Sequence, residues 1–250
     1  MIDPELLRGV PSFAEVPGAG LQSLAREARE VEYGPGDRII PLIKPPEQVF
    51  ILLEGLVKLV GVSQSGNERI VYVFRPGEVL GSRVLLDVSP ESAYESVAMQ
   101  KVRALAVHKA DFVRVAEEHP ELLLAVTREF ARRLGGLTTR MLAAMSEEVP
   151  IRLGQLLIDF ASKDGREEDF VPLSYPLTHE AMAQIIGASR PHTSSVLGNL
   201  ELQGVLRRRS DRGLLVCPAR LERMVRGEEM TASVPAGPRK ARRSESGSSP

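Results

Sequence analysis

The chain has 250 residues and 27.4 kDa, a length that favours two domains, with a single large domain as the alternative. Its 43% hydrophobic and 26% charged residues exclude wholesale disorder and the fibrous classes, and its net charge of −1 gives no overall attraction to nucleic acid. No run of about 18 apolar residues is present to span a bilayer. The single cysteine, Cys217, excludes an internal disulfide, a thiolate-held iron–sulfur cluster and a Cys-type zinc site. Because the N-terminus MIDPELLRGV carries acidic residues and lacks a long apolar core, we expect no secretory signal and a cytoplasmic protein.

Short apolar runs separated by turn residues follow one predicted helix at residues 21–30. The predicted strands cover residues 49–53, 56–62, 70–74, 93–98 and 102–107. Turn glycines lie between them, as at Gly55 and Gly77. Strands of this length and spacing predict a closed or sandwiched all-β unit. No Gly-rich phosphate loop of the Walker or dinucleotide type occurs.

The pattern becomes helical after this unit, first at residues 111–119 and then from Pro120 to about Ser146. Its apolar stripe alternates by three and four residues through Leu123, Thr127, Phe130, Leu134, Leu137, Met141 and Ala144. This heptad pattern indicates a coiled coil with a second copy of the chain, with packing on its own domain as the alternative. Gly135 and Gly136 each cost a helix about 1 kcal/mol relative to alanine, which suggests a close backbone approach, a nearby ligand or a hinge.

A second, smaller domain is predicted after Pro150. It begins with a helix at residues 151–162, continues through a polar loop at residues 163–169 and ends near Arg226. Residues 178–204 are typical of a helix-turn-helix: a first helix at 179–186, Gly187 to end it and Ser189 to cap the second. An ordinary helical hairpin is the alternative.

The exposed face of the second helix carries hydrogen-bonding side chains short enough for a DNA major groove, namely Arg190, His192, Ser194, Ser195 and Asn199. Residues 205–216 then predict a strand, a turn and a strand, which form a wing. Between residues 176 and 216, five arginines stand against three acidic residues. We expect the wing arginines to lie beside a phosphate backbone.

Four stretches, FILLEGLVKL, RPGEVLG, HPELLLAVTREFARRL and LTHEAMAQIIGASRPHTSSVLGNLE, resemble the CRP/FNR family of bacterial transcription regulators. The resemblance covers residues from about 10 to 218. It implies an α+β chain with a cyclic-nucleotide-binding-like β-roll (jelly roll) at 1–118, a dimerisation helix at 119–148, a winged helix-turn-helix at 149–226 and a disordered tail at 227–250. It also implies a homodimer on a two-fold DNA site, with RNA polymerase touched through the loop at residues 163–172.

The resemblance places an effector pocket between the β-roll and the long helix. Its candidate residues here are Gly81, Ser82, Arg83, Ser92 and Thr138. Cyclic-AMP-responsive members carry Glu and Arg where this chain has Ser82 and Glu91, and a Thr-Ser pair where it has Leu137-Thr138. A carboxylate where a cyclic phosphate should bind is repulsive, so we expect no cyclic AMP requirement. Haem-sensing members use a histidine or cysteine ligand in the β-roll, and His108 and His119 are present here, with a structural or surface role as the alternative for each. No cofactor is assigned.

For DNA contact, the resemblance and the exposed positions together select Thr178, His179, Ser189, Arg190, His192, Ser194, Ser195 and Arg208. Family members carry Arg-Glu on the first turn of the second helix and Arg one turn later. This chain has Arg190-Pro191 and then Ser195. Arg190 therefore keeps the contact suited to guanine, and the rest of the DNA half-site should differ from the half-site of those members.

Two other functions compete with DNA binding. One is a ligand-binding signalling module whose winged helix binds protein, which would lack salt-dependent DNA affinity. The other is an enzyme, which we do not expect, because the sequence has no nucleophile–base constellation, no HExxH and four scattered histidines.

Overall fold

The structure is a computed structural model that describes residues 2–41, 47–62, 68–81, 94–162, 169–209 and 213–228. These residues form two compact units. The first contains the described residues up to Glu147 together with Glu180–Ser189, and the second contains those of Glu148–His179 and from Arg190 onward. Each unit is described by itself.

The first unit combines short helices, eight strands and one long helix. Its helices are α1 (Pro4–Arg8), a 3₁₀ helix (Pro11–Phe13), α2 (Gly18–Glu27), α3 (Lys109–Glu118) and α4 (Pro120–Ser146). Its strands are β1 (Arg29–Tyr33), β2 (Arg38–Ile40), β3 (Gln48–Glu54), β4 (Val57–Val62), β5 (Glu68–Phe74), β6 (Val79–Leu80), β7 (Tyr94–Ala98) and β8 (Val102–His108). They pair antiparallel in two four-stranded sheets, β1-β8-β3-β6 and β2-β7-β4-β5.

Strand β3 is buried on both faces, which explains why its apolar run is continuous rather than alternating. Val49 and Ile51 join a core cluster formed with the helices, while Phe50 and Leu52 join a second cluster between the strands. Because successive side chains of a strand point to opposite faces, a strand buried on both faces needs apolar residues at every position.

All five predicted strands are confirmed to within one or two residues at the positions the structure describes, and β1, β2 and β6 were not predicted. The predicted helix at 21–30 is wrong at its end, because α2 stops at Glu27 and Arg29 opens β1. Strand β1 pairs with β8 over five residues, from Arg29↔Ala106 to Tyr33↔Val102. This pairing satisfies backbone groups that a continued helix would have used.

Helix α4 is unbroken from Pro120 to Ser146 and passes through Gly135 and Gly136 without interruption. Its inner face buries Leu122, Ala125 and Val126. Leu137 is half-buried against the cluster between the sheets, and its place in the coiled-coil stripe remains a prediction. The apolar side chains left exposed on α4 are Leu123, Leu124, Phe130, Leu134, Met141, Leu142 and Met145.

The second unit is built on helices and a small sheet. Its elements are α5 (Val149–Phe160), β9 (Val171–Pro172), α7 (Arg190–Leu202), β10 (Leu206–Arg208), β11 (Leu214–Val216) and α8 (Pro218–Val225). Helix α6 (His179–Ile186) precedes α7 in the chain, and all of it except His179 belongs to the first unit. Helix α5 begins two residues before its predicted start, with Pro150 inside its first turn rather than at a boundary. The sheet order is β10-β11-β9, and the buried Cys217 packs with Phe170 and Leu215.

Among the helices that the structure describes, none is long and apolar enough to cross a membrane. The predicted domain limits and the tail at 227–250 remain predictions, since residues 229–250 lie outside the described part.

Candidate nucleic-acid interface

Helices α6 and α7 follow each other across the tight turn expected of a helix-turn-helix. Gly187 has a φ of 68°, in the left-handed region that glycine adopts without strain. The backbone N–H of Ala188 donates to the carbonyl of Ala183 at 2.9 Å and closes the end of α6. Helix α7 then begins at Arg190, with Pro191 in its first turn, where a missing N–H costs nothing.

Helix α7 has one apolar face and one polar face. The apolar face buries Thr193, Val196, Leu197 and Leu200. The predicted reading positions Arg190, His192, Ser195 and Asn199 are exposed, as are Thr178 and Ser189 before the helix. These exposures agree with the predicted arrangement of the second helix.

Ser194 differs from the prediction, because it is only half-exposed and hydrogen-bonds to a second predicted contact residue. Its Oγ lies 2.8 Å from Nδ1 of His179. Burial and the positive charges of Arg208 and Arg190 lower the pKa of His179, so its ring is neutral at pH 7. The hydrogen bond therefore holds the side chain of His179 beside the middle of α7, and Nδ1 of the ring is not free for DNA while the bond persists.

The predicted wing is present as β10 and β11, which pair antiparallel from Leu206↔Val216 to Arg208↔Leu214. The N–H of Arg209 donates to the carbonyl of Gly213 at 2.9 Å, at the base of the turn. The turn residues Asp211 and Arg212 lie outside the described residues.

Two wing arginines have distinct surroundings. The Arg207 guanidinium lies 4.1 Å from the ring centroid of Phe170, a cation–π contact that holds this side chain on its own domain. Arg208 pairs through Nε with Glu201 at 2.9 Å, and both side chains are substantially exposed. An exposed pair of this kind contributes little to stability, so Arg208 can exchange Glu201 for a phosphate at small cost.

The effector-pocket candidates are only partly described. Gly81 has a φ of 77°, and a Cβ there would lie 2.8 Å from the carbonyl oxygen of Gln48, so this position requires glycine. Thr138 is exposed and donates its hydroxyl to the Leu134 carbonyl at 2.9 Å. The remaining candidates Ser82, Arg83 and Ser92, like Glu91, lie outside the described residues.

The two histidines considered as haem ligands make hydrogen bonds within the fold. His108 caps α3 by accepting from the N–H of Ala110 at 3.3 Å, and His119 hydrogen-bonds to Ser23 at 3.2 Å. Within the described part of the chain, no three His, Cys, Asp or Glu side chains group to hold a metal ion.

Comparison with known proteins defines the class of this chain. Residues 30–119 match the family described as Cyclic nucleotide-binding domain, and residues 151–224 match the Crp-like helix-turn-helix domain. A CRP-like cAMP-activated global transcriptional regulator of Mycobacterium tuberculosis (strain ATCC 25618 / H37Rv) is 23% identical over 89% of this chain and 99% of its own length. The Global nitrogen regulator of Nostoc sp. is 30% identical over 70% of this chain and 76% of its own length.

Solved structures share the fold of this chain. A CRP/FNR-family transcriptional regulator from Thermus thermophilus superposes with a TM-score of 0.65 at 23% identity, over 79% of this chain and 98% of the other. The c-di-GMP responsive global regulator of Xanthomonas campestris superposes with a TM-score of 0.69 at 15% identity, over 80% of this chain and 99% of the other. The helix-turn-helix domain and the β domain before it thus define a transcription regulator. The chain belongs to the CRP/FNR family, and it is a DNA-binding transcription regulator.

Proposed function

We propose that the protein is a sequence-specific DNA-binding regulator that acts as a homodimer on a two-fold-symmetric site. The observation that carries this proposal is the exposed polar face of α7, headed by Arg190 and followed by a wing with exposed Arg208. An exposed helix face of short hydrogen-bonding residues suits base edges in the major groove, and arginines beside it suit phosphates.

The exposed apolar row on α4 supports the homodimer. Leu123, Phe130, Leu134 and Met141 are 50%, 41%, 57% and 66% exposed, and their separations of seven, four and seven residues fit the a and d positions of a coiled-coil heptad. A contiguous apolar row of this length on a monomer would face water, so a second α4 is the partner that the pattern fits.

RNA polymerase is proposed as a further partner. Its support is the resemblance of the loop at residues 163–172 to the surface through which family activators contact it, and residues 163–168 lie outside the described part.

The DNA-binding proposal is tested by selection of bound sequences from random duplexes with the full-length protein. We expect an inverted repeat whose half-sites lie about one helical turn apart, 34–36 Å between centres. Affinity for the selected site should fall steeply with salt, because each displaced counterion contributes to the slope. A module that binds protein instead would return no enriched sequence and no salt-dependent affinity.

Cyclic AMP should not be required for DNA binding. The names of the relatives differ in their signals, from cAMP in Mycobacterium tuberculosis to c-di-GMP in Xanthomonas campestris, so membership of the family does not fix the effector. Ser82 and Glu91 replace the Glu and Arg expected for a cyclic nucleotide, and a carboxylate repels its phosphate. Titration calorimetry with cyclic AMP should show no binding at micromolar concentrations. Micromolar affinity coupled to stronger DNA binding would overturn this prediction.

A further inference from the structure

We infer that His179 and Ser194 form a proton-linked DNA contact: each protomer takes up a proton from solvent when it binds a duplex, and both side chains then donate hydrogen bonds to DNA. His179 opens α6 and Ser194 lies in the middle of α7, so the pair belongs to the helix-turn-helix. The inference rests on the proposed DNA binding, and it adds to that proposal a DNA affinity that rises as the pH falls.

The hydrogen bond between the two side chains limits what the pair can donate to DNA. Oγ of Ser194 lies 2.8 Å from Nδ1 of His179. A neutral imidazole carries one N–H and a hydroxyl carries one O–H, and one of these two protons lies in the bond, whichever ring nitrogen is protonated. A single donor is therefore left. In a protonated ring Nδ1–H donates to Oγ, so both Nε2–H and the Ser194 hydroxyl are left as donors.

DNA presents acceptors to both of these donors. In helix-turn-helix proteins the first helix crosses the phosphate backbone and the second lies in the major groove. Phosphate oxygens are negatively charged acceptors, and the base edges add further acceptors such as N7 and O6 of guanine. His179 and Ser194 are both half-exposed, so both can be reached. A neutral ring that turned a bare Nε2 toward a phosphate would oppose two acceptors, whereas the cation both donates and attracts.

Two arginines favour the neutral ring in the free protein. Burial is the largest cause of the lowered pKa of His179, and the positive charges of Arg208 on β10 and Arg190 on α7 add to it. Within the described part of the chain, no carboxylate is among the groups that shift this pKa. Glu201 pairs with Arg208 at 2.9 Å, and Glu180 accepts a hydrogen bond along its own helix. The charges that act on the ring are therefore the charges that DNA would offset.

DNA binding reverses this balance of charge. Phosphates beside Arg190 and Arg208 offset the two positive charges, and a phosphate that accepts from His179 favours the charged ring directly. The pKa of His179 is therefore higher in the complex than in the free protein. Between these two pKa values binding takes up a proton, so the affinity rises as the pH falls. Below the lower value both forms are already protonated, above the higher value neither is, and in both ranges the dependence on pH ends.

The test measures the affinity of the full-length protein for its selected duplex between about pH 5 and about pH 8 at constant salt, the range in which histidine ordinarily titrates. We expect the affinity to rise as the pH falls, by up to about tenfold per pH unit for each protomer. Calorimetry of the same binding in two buffers with different heats of ionisation counts the protons directly. It should show net proton uptake, up to about one proton per protomer.

Histidine variants assign the proton to one residue. His179→Gln should remove the proton uptake and leave an affinity that does not change with pH. His192→Gln is the matched control, because His192 is exposed on α7 and is the other histidine of the helix-turn-helix. It should keep the pH dependence of the parent protein, whatever it does to the affinity itself. The two remaining histidines of the chain, His108 and His119, lie in the first unit.

Ser194→Ala separates the hydrogen-bonded pair from a histidine that acts alone. Without the hydroxyl, the neutral ring can still donate through Nε2–H, but protonation adds no second donor to DNA. At the low end of the pH range this variant should bind about tenfold or more weakly per half-site, as expected for one lost hydrogen bond to a charged acceptor. At the high end it should bind within about twofold of the parent protein, because the neutral pair has a single donor in either case.

Several outcomes would overturn the inference. They are a parent affinity that is constant or falls as the pH falls, a pH dependence that survives His179→Gln or is lost in His192→Gln, and an equal loss by Ser194→Ala at both ends of the range. Tight binding to the selected duplex without these pH effects would leave the DNA-binding proposal intact. A protein that bound no duplex at any pH would overturn both.

Discussion

Replacing Leu134 and Met141 with glutamate should convert the protein from a dimer to a monomer. Both side chains are exposed on α4 and lie seven residues apart on one stripe. Fully burying a Leu or Met contributes about 1.5–3 kcal/mol, and a two-fold seam contains each residue twice. Since 57% of Leu134 and 66% of Met141 is exposed and available for burial, loss of these four contacts alone should raise the dissociation constant by about 10³-fold or more, before the cost of burying four carboxylates is counted.

Sedimentation velocity measures this change directly. The matched control is Thr139→Glu with Ser146→Glu, which adds the same charge at two exposed positions seven residues apart on another face of α4. The control should sediment as the parent dimer. A Leu134→Glu, Met141→Glu variant that still sediments as a dimer would place the interface on another element. A monomer should also lose most of its affinity for a two-fold DNA site, because its half-sites would bind independently.

Leu137 shows that the heptad pattern alone does not predict which residues of the stripe are exposed. The heptad pattern includes it, yet it packs against the cluster between the sheets, while the exposed Thr138 is its neighbour. A straight helix drifts by about 20° per heptad from a 3.5-residue repeat, so a residue near the edge of the stripe can turn to either side. A glutamate at Leu137 would destabilise the β domain and give no clear test of dimerisation.

The strands were predictable to the extent that they are apolar on both faces. Strands β3 and β8 lie inside their sheet and have continuous apolar runs. Strand β1, Arg29–Tyr33, is an edge strand rich in charge, and charged residues are common on edges. One of its contacts is the ion pair of Arg103 with Glu30 at 2.7 Å, between residues far apart in sequence. No local sequence pattern predicts such a pairing, so the sequence predicts helix for the first two residues of β1.

The candidate interface, like the strands, was predictable from the sequence only in part. Exposure of Arg190, His192 and Ser195 follows from the helical period alone. The bond between His179 and Ser194 joins residues 15 positions apart and depends on how the start of α6 meets α7.

Arg190→Ala should weaken binding to the selected DNA site by about 1–3 kcal/mol, roughly 5- to 150-fold, and relax the preference at one base pair per half-site. Arg190 is exposed on the first turn of α7, where a side chain can reach the groove floor, and its fork matches the two acceptors of guanine. The matched comparison is Arg208→Ala in the wing, which removes the same side chain from a position suited to phosphate.

The two variants should differ in which duplexes they bind more weakly, and not only in how much affinity they lose. Arg208→Ala should lose affinity equally on selected and scrambled duplexes, and the slope of log affinity against log salt should fall by about one. The loss should be modest, because Arg208 already pairs with Glu201 in the free protein and exchanges one anionic partner for another. Arg190→Ala should instead lose affinity mainly on the selected duplex. Binding isotherms on both duplexes at several salt concentrations decide the matter: if both variants lose affinity equally on every sequence, α7 does not read bases, and its exposed face is a nonspecific or protein-binding surface.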